Sequence, residues 1–164
     1  MTATSATAAK LPAEVVARVD ALRSRYPTEE ALLLPALHLA QQANGGWISE
    51  ETIGAVAEIL HLPASTVAGV VSFYDMFHER PVGRHRIRLC TNLSCQLRGA
   101  EELAALLRRE LGVEAGAVTA DGRCSWVEFE CLGSCDTAPM AMIDEEYHEN
   151  LTPELLRRAL EGLS

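Results

Sequence analysis

Four of the five cysteines fall into two close pairs, Cys90-Thr-Asn-Leu-Ser-Cys95 and Cys131-Leu-Gly-Ser-Cys135, with 35 residues between the pairs. Each pair follows a segment that alternates polar and apolar residues, Arg86-Ile-Arg-Leu-Cys90 and Ser125 to Cys131. Alternation marks a half-buried strand, so each pair is expected in a loop that leaves a strand. Two such loops on the same edge of one sheet would bring four thiolates around one small site. Four thiolates with no histidine nearby suit either a tetrahedral zinc or an iron–sulfur cluster. Zinc ribbons favour two intervening residues at each knuckle, whereas these gaps are four and three. Wider gaps suit a [2Fe-2S] rhomb, in which each pair holds one iron. A Rieske centre would need two histidines, and His85 and His148 stand outside both loops. A thioredoxin-type dithiol would need Cys-x-x-Cys, which does not occur.

The rest of the composition narrows the setting. Residues 1–10 show no charged region followed by an apolar one, so they do not read as a secretory signal. No apolar run approaches the roughly 20 residues that span a bilayer. A reducing cytoplasm is therefore expected, where cysteines read as metal ligands or redox groups before they read as disulfides. Lys and Arg total 14 against 23 Asp and Glu, a formal charge of -9. That balance argues against a general nucleic-acid binder, which needs clustered cations.

Along the chain, residues 1–10 are Thr/Ala/Ser-rich and read as a disordered tail. Residues 11–79 read as a helical domain and 80–164 as a second, α/β domain. Val15, Val16, Val19 and Leu22 share one helix face. Thr28 can cap a second helix that carries Leu32, Leu33, Ala36, Leu37 and Ala40, with a kink expected at Pro35. Asn44-Gly45-Gly46 stops it, Ser49 caps a third helix, and Leu62-Pro63 opens a fourth. Beyond residue 80 the pattern predicts strands over 86–90, 125–131 and 140–143. A helix is expected over 99–111 and another after Thr152-Pro153. The fold class is thus α+β, a small helical bundle followed by an α/β domain.

The residues Cys90-Thr-Asn-Leu-Ser-Cys95, Asp121-Gly122 and Glu130-Cys-Leu-Gly-Ser-Cys135 with Ala138-Pro139 resemble the thioredoxin-like [2Fe-2S] subunit of respiratory NADH:quinone oxidoreductase. The resemblance extends back through Leu33-Leu-Pro-Ala-Leu-His-Leu-Ala-Gln41, Gly46-Trp47 and Gly69-Val-Val-Ser-Phe-Tyr74, and forward to Leu151-Thr-Pro-Glu154. It implies a helical N-terminal part and a thioredoxin-like C-terminal domain. It also implies that Cys90, Cys95, Cys131 and Cys135 bind one [2Fe-2S] cluster. In such complexes the subunit docks on a flavoprotein subunit that holds FMN and binds NADH, in the peripheral arm on the cytoplasmic face of the membrane. NAD-reducing hydrogenases and formate dehydrogenases use similar subunits.

The chain has no G-x-G-x-x-G or other dinucleotide fingerprint, so hydride acceptance from NADH is expected on a partner flavin. Backbone N–H groups of Thr91 to Ser94, the start of the Gly99 helix and Leu132-Gly133-Ser134 can point at sulfur. Glu128, Glu130 and Asp136 oppose an added electron, and a low potential is expected. Arg88 and Arg98 either offset this or are simply solvated. The fifth cysteine, Cys124, stands where the family usually has an aromatic residue, and reads as a small buried side chain. His38 reads as a hydrogen-bonded core histidine. Trp47 and the Phe73–Tyr74 pair are expected to pack between the two units. A zinc-stabilised interaction module and a thiol-redox enzyme using Cys124 are the alternatives of other classes.

Overall fold

The structure, a computed structural model, describes residues 11–163, so the expected tail lies outside the described residues. The chain divides between Pro81 and Val82 into two compact units.

Among the described residues the first unit holds four α-helices, α1 (Ala13–Leu22), α2 (Glu29–Ala43), α3 (Glu50–Leu60) and α4 (Ala64–Phe73). Their starts follow from local chemistry. The Thr28 hydroxyl accepts the Ala31 N–H at 3.2 Å and the Ser49 hydroxyl accepts that of Thr52 at 3.2 Å, which satisfies donors with no intrahelical partner. α2 continues through Pro35 and ends before Gly45 and Gly46, both at positive φ. Val15, Val19, Leu32, Leu37, Leu60 and Val67 lie at the centre of the core, each at most 6% exposed. Two polar side chains tie the elements. Arg23 pairs with Asp20 at 2.9 Å and with Glu29, and donates to the Ile59 carbonyl at 2.7 Å. The buried Gln41 amide donates to the Met76 carbonyl at 3.0 Å and accepts from the His78 N–H at 2.9 Å.

One expectation changes here. His38 is exposed and leans on the Phe77 ring at 5.0 Å, so it is not a core histidine. Each residue advances about 100° around a helix, which turns His38 away from the stripe of Leu33, Leu37 and Ala40. Phe73 is 76% exposed and Tyr74 36%, and the two rings meet edge to face at 4.9 Å. α4 stops at Phe73, so the aromatic pair falls where the helix face no longer points at the core.

The second unit contains β1 (His85–Cys90), α5 (Leu93–Leu97), α6 (Ala100–Leu111), β2 (Cys124–Phe129), β3 (Ala141–Ile143), β4 (Glu146–His148) and α7 (Pro153–Glu161). The sheet order is β2-β1-β3-β4. β1 and β2 are parallel, with His85 opposite Cys124 and Cys90 opposite Phe129, and α6 lies in the crossover that parallel pairing requires. β3 runs antiparallel to β1 and to β4. Ile87, Leu89, Leu103, Leu107, Trp126 and Leu156 fill the core between sheet and helices. The buried Trp126 indole donates to the Val113 carbonyl at 2.9 Å. Thr152 caps α7 through the Leu155 N–H at 3.2 Å, and Pro153 occupies its first turn. Helices and a mixed sheet make the chain α+β, as the pattern predicts.

β2 does not alternate as expected. Cys124, Ser125 and Trp126 are buried in succession, and Val127 and Glu128 are exposed. Gly83 explains the first half: its N–H donates to the Ser125 hydroxyl at 3.0 Å, and a Cβ there would stand 2.3 Å from the Cys124 carbonyl carbon. The backbone lies directly on β2, which only glycine permits.

Candidate metal centre

Because β1 and β2 are parallel, both run out at the same edge of the sheet, and the cysteine pairs follow from those ends. Cys90 is the last residue of β1, and its N–H donates to the Met140 carbonyl at 3.1 Å, just ahead of β3. The Thr91 N–H donates to the Phe129 carbonyl at 2.8 Å, which ties this corner to the end of β2. The chain then turns into α5, so Cys95 sits on a one-turn helix and not in the expected loop. The turn drives Cys95 inward. Cys90 and Cys95 are 2% and 1% exposed, packed with Ala100, Leu132, Ala138 and Met140. Leu93 and Leu97, on the opposite side of that helix, face solvent at 70% and 79% exposure.

Burial pushes the Cys95 thiol up to about 11, and its hydrogen bond with Cys90 acts in the same direction, while the backbone at Met140 acts against them. Negative charge at Cys90 and at Cys135 raises it further, so Cys135 lies within electrostatic reach of Cys95. Such a thiol stays protonated near neutral pH unless a cation stabilises its anion.

Cys131 and Cys135 are exposed. β2 ends at Phe129, so Cys131 lies two residues beyond the strand and not within it. Gly133, at φ +81°, folds the loop back so that its N–H donates to Cys131 Sγ at 3.4 Å. Leu132 points inward beneath the loop, and Cys135 opens a 3-10 turn that ends at Thr137. β4, which the sequence pattern does not reveal, supports this loop. The Tyr147 hydroxyl donates to the Leu132 carbonyl at 2.9 Å. Glu149 accepts from the Thr137 hydroxyl at 2.7 Å and from that of Ser134. No local signal marks these contacts, since they join residues 12 to 15 positions apart.

The structure thus joins Cys90 to Cys95, sets Cys135 within electrostatic reach of Cys95, and carries Cys131 on the loop that Cys135 ends. It does not gather them about one point: among the described residues, no three His, Cys, Asp or Glu side chains are grouped to hold a single metal ion. None of the five cysteines is in a disulfide. Cys124 begins β2, at the opposite end of the strand from Cys131, and is fully buried; burial pushes its thiol up, with Arg123 acting against it. Arg88 donates to the Asp144 carbonyl at 3.0 Å and lies over the Phe129 ring. At the start of α6 the Gly99 N–H is engaged with the Gln96 carbonyl at 3.2 Å.

Four soft donors, a glycine that donates to one of them and a half-buried, half-exposed setting suit a [2Fe-2S] cluster. Comparison with known proteins agrees. Residues 19–164 match the family model described as thioredoxin-like [2Fe-2S] ferredoxin, and the chain belongs to that family. Within it, the chain is 39% identical over 141 residues to a subunit of the NADH-quinone oxidoreductase of Rickettsia bellii, covering 85% of this chain and 84% of that protein. It is 40% identical over 136 residues to the corresponding Escherichia coli protein, covering 83% and 81%. It is 38% identical over 141 residues to the mitochondrial NADH dehydrogenase [ubiquinone] flavoprotein 2 of Dictyostelium discoideum, where it spans 57% of that protein. A solved NAD+-reducing [NiFe]-hydrogenase matches 80% of this chain and 22% of its own at 25% identity and a TM-score of 0.68. Among the described residues, no helix is long and apolar enough to cross a membrane.

Proposed function

We propose that Cys90, Cys95, Cys131 and Cys135 hold one [2Fe-2S] cluster, and that the chain is the electron-transfer subunit of an NADH:quinone oxidoreductase. The single observation that carries this reading is the delivery of both cysteine pairs to one sheet edge in a chain of the [2Fe-2S] ferredoxin family. When bound, the cluster supplies one-electron exchange with no bond of a substrate made or broken.

The residues of the chain then divide the work. Cys90 and Cys95, packed under Met140 and Leu132, keep water from one half of the site. Cys131 and Cys135 leave the other half at the surface, where a partner can approach. The Gly133 N–H takes up part of the charge on Cys131, and a hydrogen bond to sulfur favours the added electron. Glu130 and Asp136, exposed beside the two cysteines, act against it and keep the potential low.

The partner in this reading is a flavoprotein subunit that carries FMN, binds NADH and accepts the hydride, within a larger complex on the cytoplasmic face of the membrane. This chain supplies no substrate site of its own and inserts in no bilayer. The similarity to the NAD+-reducing hydrogenase supports a second parent, the NADH-handling part of such a hydrogenase. Iron and acid-labile sulfide on anaerobically purified protein test the proposal. About two of each per chain are expected for a [2Fe-2S] centre; one zinc with no sulfide would establish the zinc-module alternative instead.

A further inference from the structure

Between Phe129 and Ala141 the chain has no regular element except the single turn Cys135–Thr137, and both exposed cysteines lie in this stretch. Apart from the Cys90 N–H on the Met140 carbonyl, the hydrogen bonds that reach it from outside come from one short piece of chain. Tyr147 of β4 donates to the carbonyl of Leu132, the residue after Cys131, at 2.9 Å. Glu149 accepts from the hydroxyl of Ser134, the residue before Cys135, and from that of Thr137 at 2.7 Å. The Asn150 N–H adds a bond to the Thr137 carbonyl at 2.7 Å. Residues two apart in an extended segment share a face, so Tyr147 and Glu149 reach the loop together. One takes it by the backbone beside the first cysteine, and the other by side chains on both sides of the second. The buried pair has nothing comparable, because a strand end and a helix already place Cys90 and Cys95.

Resting on the reading that these cysteines hold the cluster, we propose that Tyr147 and Glu149 are positioning residues for its exposed half. They set the loop that carries Cys131 and Cys135, and Glu149 places a fixed negative charge beside it. The Ser134 and Thr137 hydroxyls hold the Glu149 carboxyl below the usual range, so the charge is present at neutral pH.

Three substitutions in the full chain separate these roles. Glu149→Ala removes the hydrogen bonds and the charge. Glu149→Gln keeps an oxygen acceptor for the two hydroxyls and removes the charge alone. Tyr147→Phe removes one hydrogen bond and no charge. Peptide-resolved amide exchange should accelerate about fivefold over residues 131–138 in Tyr147→Phe, the factor for one neutral hydrogen bond, and more in Glu149→Ala, which removes two hydrogen bonds to a charged acceptor. β1 and α6 should be unaffected, and Glu149→Gln, which keeps both hydrogen bonds but makes them neutral, should fall between the parent and Glu149→Ala. In protein containing iron and sulfide, Glu149→Gln should raise the midpoint potential with an unchanged paramagnetic resonance spectrum. Glu149→Ala and Tyr147→Phe should alter the spectrum. Unchanged exchange in both of these variants, or equal acceleration across β1 and α6, overturns the positioning role. An unmoved potential in Glu149→Gln overturns the electrostatic one. A parent chain without iron and sulfide defeats the cluster reading on which the electrostatic role depends, while exchange still decides whether Tyr147 and Glu149 hold the loop.

Discussion

Cys90 and Cys95 are at most 2% exposed, one at the end of a strand and the other on a helical turn, whereas Cys131 and Cys135 sit in an exposed loop. The first pair is placed by the same hydrogen bonds and apolar packing that build the domain. The second is placed by a glycine and by side chains from a neighbouring hairpin. If the four hold the proposed cluster, the buried pair is part of the core as well as a donor set, and the exposed pair is a donor set alone.

The largest test of that difference replaces each cysteine by serine. Any of the four changes at Cys90, Cys95, Cys131 and Cys135 should abolish the bound iron and sulfide. Stability of the metal-free chain should split them. Serine at Cys90 or Cys95 buries a hydroxyl among apolar neighbours and should cost about 1–3 kcal/mol. Serine at Cys131 or Cys135 should stay within about 0.5 kcal/mol of the parent, as exposed changes do. Denaturant unfolding reads this directly, and equal losses in all four variants would erase the distinction.

A smaller effect concerns pH. With its thiol at about 11, Cys95 is protonated near neutrality in the metal-free chain. The unfolded chain gives up this proton first, so the contribution to stability is full below the ordinary thiol value of 9.0 and declines as pH rises toward about 11. Unfolding midpoints between these limits should fall with pH in the parent and fall less in Cys95→Ala. Alkylation at pH 8, followed by peptide mapping, should mark Cys131 and Cys135 well before Cys95.

What could be read from the sequence follows the range of the interaction. The caps at Thr28, Ser49 and Thr152 act within three residues, so local chemistry announces them. The cysteine spacing and the long amphipathic α6 are legible for the same reason. α5 is too short to display a period, and so Cys95 reads as a loop residue until its helix is seen. β4 is three residues long and is a strand only because β3 pairs with it. The support of the Cys131 loop by Tyr147 and Glu149 depends on that pairing and has no signature in the chain. His38 shows the opposite error, where a histidine inside an apolar run faces outward because its neighbours, and not it, occupy the buried stripe.

The smallest expected effect on the site is at Cys124, and it sharpens the comparison because this thiol is as buried as Cys90. Cys124 lies opposite His85 at the start of β2, whereas Cys90 lies opposite Phe129 at its end. A six-residue strand separates it from the corner where the cysteine pairs emerge. Its surroundings include Gly83, Arg123, Asp121 and Asp144, its N–H donates to the Thr119 hydroxyl at 3.0 Å, and none of the groups acting on its thiol is another cysteine. Cys124→Ser should therefore leave the iron, the sulfide and the paramagnetic resonance spectrum as they are, while burying a hydroxyl costs the fold about 1–3 kcal/mol. Loss of stability without loss of the cluster would show that burial makes a cysteine structural and that only its place at the sheet edge makes it a ligand. Loss of the cluster at unchanged stability would instead put Cys124 in the donor set and undo the assignment of the four.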